Sequence, residues 1–256
     1  MEKLVEYVVG FLPVLVRISG LVMALPIFGG RGVPAQVKIG LVFVTALVLY
    51  PTLPDMPSLE TVPGYYTVIL KELLVGICLG FAVTLVFSAI YLAGQLIDVP
   101  MGFGMVNVVD PQSGLQVPIF AQFQYVLAAL IFLAIGGHHG VLRALSSSFT
   151  LIPIGSSIPI SSLPMAMLNV FANMFYLGVK LSLPLITGLL LADIALGIVA
   201  RAVPQINIFV VGFPAKIIIG ISLFVFVLPA YVALLAQIFS SEGELGRVLR
   251  GILGSF

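Results

Sequence analysis

The chain has 256 residues, 61% of them hydrophobic and only 8% charged, with a net charge of +1, against roughly 45–50% and 25% in an ordinary soluble domain. A soluble fold of this size cannot hide so much apolar surface, so the composition points to an integral membrane protein. A charge this close to neutral offers no footing to nucleic acid, and the single Cys78 excludes a disulfide within the chain.

Met1-Glu2-Lys3 leads straight into apolar sequence, with acids ahead of the run and no small-residue cleavage site behind it. The first segment therefore reads as retained. It covers 4–28 and is interrupted by Pro13 and Arg17; the second covers 34–50. At 1.5 Å per residue the second spans about 25 Å of a ~30 Å hydrocarbon core, which is short. Pro51, Pro54, Pro57 and Pro63 then make a rigid, mildly acidic connection. The third segment, 65–97, is entered through Lys71-Glu72 and carries Gly76 and Gly80 at a small-x-x-x-small spacing. That spacing lets another helix approach closely, although glycine is common in membrane helices generally.

A fourth segment covers 118–135. Beyond it, Val141, Leu142, Leu145 and Phe149 recur opposite His138, Arg143, Ser146 and Ser147, which predicts an amphipathic helix over 138–150 at an interface or along a partner. A Pro/Ser/Gly stretch, 153–164, leads to the last two segments, 165–200 and 208–239. The former would be ~54 Å long as one helix, so it must break near Pro184 or project from the bilayer. The fold expected is all-α and membrane-associated, with about six apolar segments arranged as helical hairpins. Bases are spread over nearly every connection, and only the acidic second connection bears on orientation. It places both termini outside, and the loop after Ile97 and the elbow at Arg201 inside.

No enzyme constellation is present: there is no phosphate-binding Gly-rich loop, no HExxH and no nucleophile elbow. His138 and His139 are adjacent, do not converge like an i, i+4 pair and have no third ligand nearby, so they read as a polar loop pair at a membrane surface rather than a metal site. Neither metal nor cofactor is expected.

The loop 98–117 is unusual. It has no Lys or Arg and interleaves Gly102 and Gly104 with Met101, Phe103, Met105, Val106, Val108 and Val109, ahead of Asp110-Pro111. Glycine frees the backbone, and Met and Phe can form a soft plug that excludes ions by dewetting. Composition alone leaves that reading level with a loop that merely packs on its own protein. Arg17, Lys180, Asp193, Arg201 and Lys216 are charges set in or beside apolar runs, where each costs about 2.5–3.5 kcal/mol if it faces lipid. Asp193 and Lys216 lie at similar distances from Pro204 and can pair across an antiparallel hairpin. A structural pair that fixes register is favoured over a proton relay, since no His or second acid accompanies them.

The block Gly197-Ile-Val-Ala-Arg-Ala-Val-Pro-Gln-Ile-Asn-Ile-Phe-Val-Val-Gly-Phe-Pro-Ala-Lys216 resembles the signature of the FliR family of flagellar type III export proteins. Lys71-Glu72 with Gly76 and Gly80, Ala93-Gly94-Gln95, Asp110-Pro111 and Gly136-Gly-His-His139 carry the resemblance along the chain, and Arg201-x-x-Pro-Gln-x-Asn207 is its most specific element. The resemblance implies a non-enzymatic core subunit of the export gate, built with FliP and FliQ and associated with FlhB and FlhA in the bacterial inner membrane at the flagellar basal body. It further implies a FliP-like part over 1–164, a FliQ-like hairpin and tail over 165–256, and a pore plug over 101–114. Arg201, Gln205 and Asn207 would then contact FliQ or FlhB, and unfolded flagellar subunits would thread past the plug. The alternatives are a secondary transporter, with helices broken at Pro184 and Pro214 around Asp193 and Lys216, and a non-conducting membrane scaffold.

Overall fold

The computed structural model describes residues 2–29, 32–53, 62–103, 118–156, 162–205 and 207–255. Among these, all regular structure is helical: α1 (Glu2–Ala24), α2 (Pro26–Gly29), α3 (Ala35–Leu49), a 3₁₀ turn (Tyr50–Thr52), α4 (Val62–Met101), α5 (Ile119–Ala134), α6 (Gly137–Leu151), α7 (Leu163–Ala202), α8 (Ile208–Phe239) and α9 (Glu244–Leu253). Among the described residues, five helices are long and apolar enough to cross a membrane, or six spans result if α5 and α6 count as one broken span.

The helices form two compact units, each drawn from separated stretches of chain: Met1–Val86 with Gly136–Phe171 and Phe239–Phe256, and Phe87–Ile135 with Ala172–Ile238. In the first, α1 and α4 cross almost backbone to backbone. A Cβ on Gly20 would stand 2.8 Å from the Leu73 carbonyl oxygen, one on Gly80 2.6 Å from the Ala24 Cβ, and one on Gly76 would overlap the Arg17 carbonyl. The small-residue spacing of Gly76 and Gly80 is thus used, against α1. Two polar bonds complete the crossing. Pro13 leaves α1 unbroken but deprives the Val9 carbonyl of its helical donor, and the Tyr65 hydroxyl donates to that oxygen at 2.9 Å. At the end of α1 the Thr84 hydroxyl donates to the Ala24 carbonyl at 2.5 Å. The 15-residue α3 lies on α1 through edge-to-face rings, Phe11 with Phe43 at 5.8 Å and with Tyr50 at 5.7 Å.

α6 begins after Gly136, which turns the chain with a φ of 72° that a side chain would strain. Of its expected apolar stripe, Val141, Leu145 and Phe149 are buried within the chain itself, while Leu142 is exposed. Part of its cover is α9, a helix that the sequence reading left as tail. Leu245, Val248, Leu249 and Ile252 bury one face of α9, and Gly246 lies so close to the Ser241 carbonyl that a Cβ there would overlap it.

The second unit holds the last part of α4, α5, α7 from Ala172 to its end, and α8 up to Ile238. α4 and α5 meet at Gly94, where a Cβ would overlap the backbone of Ala121, and at Phe87–Phe132, 5.4 Å between centroids. α5 meets α8 through Phe120 and Phe224 at 5.0 Å, and α7 meets α8 where Gly188 admits Leu223.

Of the two expectations for 165–200, a break near Pro184 or projection from the bilayer, the break does not occur. α7 runs for 40 residues through Pro184, and α8 for 32 through Pro214 and Pro229. At 1.5 Å per residue α7 is about 60 Å long. A proline removes one helical bond, a loss that a long membrane helix with packed neighbours tolerates.

Candidate functional site

The apolar loop leaves from the second unit, and its two ends are clamped together. α4 continues beyond the expected boundary at Ile97: Asp98, Val99, Pro100 and Met101 are its last residues. From there the Asp98 carboxylate accepts hydrogen bonds from the backbone N–H groups of Phe120, at 2.9 Å, and Ala121, at 3.1 Å. Those groups belong to the first turn of α5, whose own N-cap residue, Pro118, offers no side-chain bond. Asp98 is buried, and it serves as the missing cap across the base of the loop. The residue before the loop and the helix after it are therefore one rigid base.

Met101, expected in the sealing segment, is the fully buried last residue of α4. Its side chain rests on Gly220 of α8, where a Cβ would stand 2.7 Å from the Met101 Cε. Gly102 leaves the helix with a φ of 92°, and a Cβ on it would come within 2.7 Å of the Phe213 ring. Both requirements select glycine: the left-handed backbone and the ring leave no room for a side chain. Phe103 is half-buried. Gly104, Met105, Val106, Val108, Val109, Asp110 and Pro111 lie outside the described residues.

The α8 face that carries the loop root also carries a charge. Phe213, Lys216 and Gly220 follow one another at helical spacing, and the Lys216 ammonium lies 6.0 Å from the centre of the Phe213 ring. Lys216 forms an ion pair with Asp193 of α7, as the shared distance from the elbow suggested. Neither side chain is sealed off: they are 20% and 35% exposed.

The other expected charges divide. Only Arg17 is fully buried, and it sits in the first unit with a partner that sequence reasoning did not assign to it. Its Nε bonds to the Glu72 carboxylate at 2.5 Å, one terminal nitrogen donates to the Ser148 hydroxyl at 3.1 Å, and the other to the Ile152 carbonyl at 2.9 Å. The guanidinium also lies 4.2 Å over the Phe149 ring. Lys180 and Arg201 stand exposed on this chain, as do Gln205 and Asn207 of the elbow. An apolar sequence context shows depth in a membrane, not cover by the chain's own side chains.

The histidines are not in a loop but in the first turn of α6, their rings 4.1 Å apart, with the buried Nδ1 of His138 unpartnered among the described residues. No group of three metal-ligating side chains occurs among the described residues. Gln124 on α5 is another polar group that the sequence did not single out: it is fully buried, and its amide has no partner there.

The profile of the bacterial export proteins, family 1, matches residues 8–241. The flagellar biosynthetic protein FliR of Bacillus subtilis (strain 168) is 36% identical over 257 residues, covering 99% of each chain. That of Escherichia coli (strain K12) is 36% identical over 228 residues, 88% of this chain and 87% of the relative. FliR of Aquifex aeolicus (strain VF5) is 31% identical over 225 residues, again 88% and 87%. With similarity spread from end to end and not confined to one motif, this chain belongs to the bacterial export proteins, family 1, the family of the FliR proteins.

Proposed function

We propose that this chain is a non-enzymatic core subunit of a flagellar type III export gate in the bacterial inner membrane, at the flagellar basal body. The observation that carries the reading is the similarity to FliR over 99% of both chains. In this reading FliP and FliQ chains complete the conduit, FlhB and FlhA adjoin it, and unfolded flagellar subunits pass through it. Residues 1–164 form its FliP-like part and 165–256 its FliQ-like part. The long faces of α7 and α8 suit that role. Leu191, Ile194 and Ile198 on the one and Ile218, Val225 and Phe226 on the other are exposed apolar residues that sister subunits or lipid would cover.

The loop is the plug. Its base is held by Asp98, Met101 and Gly102, while Phe103, Gly104, Met105, Val106, Val108 and Val109, up to Asp110-Pro111, form the apolar seal. Exposed Lys180, Arg201, Gln205 and Asn207 contact neighbouring chains. Helices that stay continuous through Pro184 and Pro214 speak against the transporter reading, which needs discontinuous helices at its charged site. The test is to replace 102–105 with Ser and Gly in cells and record both membrane ion leakage and flagellin export. The expected result is a leaky membrane with export partly retained. An ion-tight membrane with normal gate assembly would remove the plug.

A further inference from the structure

At the root of the loop, α4 and α8 exchange side chains. α4 gives Met101 to a glycine of α8: the Cε, Cγ and Sδ of Met101 lie 2.7, 2.9 and 3.2 Å from where a Cβ on Gly220 would stand. α8 gives Phe213 in return, its ring 2.7 Å from where a Cβ on Gly102 would stand. Where α4 crosses α1 at Gly76, by contrast, the nearest atoms are backbone, so that glycine serves the approach of two helices. Gly220 and Gly102 serve as notches for single large side chains. Met101 and Gly102 are neighbours, whereas Phe213 and Gly220 are two turns apart on α8, about 10.5 Å. One side chain in one notch can slide or turn. Two of opposite sense fix the end of α4 along α8 and about its own axis. On its other faces α8 is open, with Ile218, Val225 and Phe226 exposed.

We propose that, given a loop that seals as read above, Phe213 and Gly220 are positioning residues for that seal: through Met101 and Gly102 they make the seating of the loop root depend on where α8 stands. Neither residue needs to meet an ion or a passing chain. If α8 shifts, Met101 leaves its notch and Gly102 loses the ring against it, while Asp98 still ties the last turn of α4 to α5. The root is then released without unfolding the helices that carry it. Lys216 lies between the two contacts on the same face and pairs with Asp193, which ties α7 to that face as well. Whatever covers the open faces of α8 therefore acts on the root through this interlock.

Root and seal are read separately. In the full chain carrying Cys78→Ala and Phe103→Cys, purified with its partner subunits in detergent, the rate of labelling by a charged maleimide reports the position of the root. Ion leakage of cells expressing the same variants without the reporter cysteine reports the seal. Gly220→Ala sets a methyl where Met101 lies and drives that flexible side chain from its notch; labelling should rise about ten-fold and the membrane should leak. Gly220→Ala/Met101→Val restores the summed volume of the contact and should return both readouts most of the way. Phe213→Leu withdraws the ring from Gly102 without overpacking, and it should act in the same direction even if Gly220→Ala fails to assemble. Gly178→Ala sets a methyl 2.9 Å from Leu92, more than two turns of α4 before the root, and should change neither readout. Unchanged labelling in Gly220→Ala and Phe213→Leu, no recovery in the double variant, or an equal rise in Gly178→Ala would overturn the proposal. So would faster labelling with a tight membrane where replacement of 102–105 does leak, and that result would leave the plug standing. A tight membrane on replacement of 102–105 would remove the plug itself, and the positioning role with it.

Discussion

Among the described residues, two ion pairs sit in apolar helices, and they are built to different specifications. Arg17 and Glu72 are sealed from surroundings of any kind, and the guanidinium is further bound by Ser148, the Ile152 carbonyl and the Phe149 ring. Asp193 and Lys216 are partly open, and the Phe213 ring lies 6.0 Å from the ammonium. The first pair ties α1, α4 and α6 together where the helix backbones already touch through glycine, so it cannot shift without the crossing shifting. The second joins two long helices beside the root of the loop and can open without disturbing that packing. One pair therefore holds the fold, and the other is free to serve a neighbour.

The largest expected effect lies in the first pair. Arg17→Met would leave Glu72 buried and uncompensated, which costs about 3–5 kcal/mol. The variant should fall sharply in membrane abundance and in thermal stability in detergent. The double variant Arg17→Met/Glu72→Leu removes both charges, and it should recover most of that loss, since a well-packed apolar replacement of a buried pair is close to neutral. If the single variant is as stable as the unmodified chain, the two pairs do not differ in kind and the contrast fails.

Asp98 sharpens the contrast, because it is a buried acid held by backbone N–H groups with no base in its bonds. Asp98→Ala removes the cap from α5 and leaves two buried donors unmet, a cost of about 1–3 kcal/mol. The change acts on the loop base more than on the fold as a whole. Protease cleavage between 103 and 118 in detergent should therefore accelerate several-fold, while the melting temperature drops less than for Arg17→Met. A cleavage rate equal to that of the unmodified chain would show that the base is held without Asp98.

The sequence made the long elements plain because runs of apolar residues report membrane depth directly, and the bounds expected for 208–239 are those of α8. The Asp193–Lys216 pairing was also legible, since one hairpin relates the two residues through a single elbow. Arg17–Glu72 was not: its register depends on where α1 crosses α4, which Gly20, Gly76 and Gly80 decide together and no local spacing displays. Asp98 looked like the start of a loop because Pro100 and Gly102 follow it, yet the helix accommodates Pro100 in its final turn and ends only at Met101. α9 was missed because Arg247 and Arg250 interrupt its composition, although Leu245, Val248, Leu249 and Ile252 fall on one face.

The smallest stability effect belongs to the open pair, and this is where the comparison bears most directly on function. A partly exposed ion pair contributes about 0–1 kcal/mol, so Asp193→Asn and Lys216→Met should each leave the melting temperature within a few degrees of the unmodified chain. Their effect should instead appear in assembly or ion tightness, because Lys216 shares a face of α8 with Phe213 and Gly220, on which Gly102 and Met101 rest. A double-mutant cycle separates the possibilities. Coupling between Asp193 and Lys216 in ion leakage or in recovery of the complex, with little coupling in thermal stability, would mark the pair as serving the loop or a neighbouring chain. Coupling in stability as large as that of Arg17 with Glu72 would instead make it a second structural lock, and exposure would then be a poor guide to what an intramembrane ion pair does.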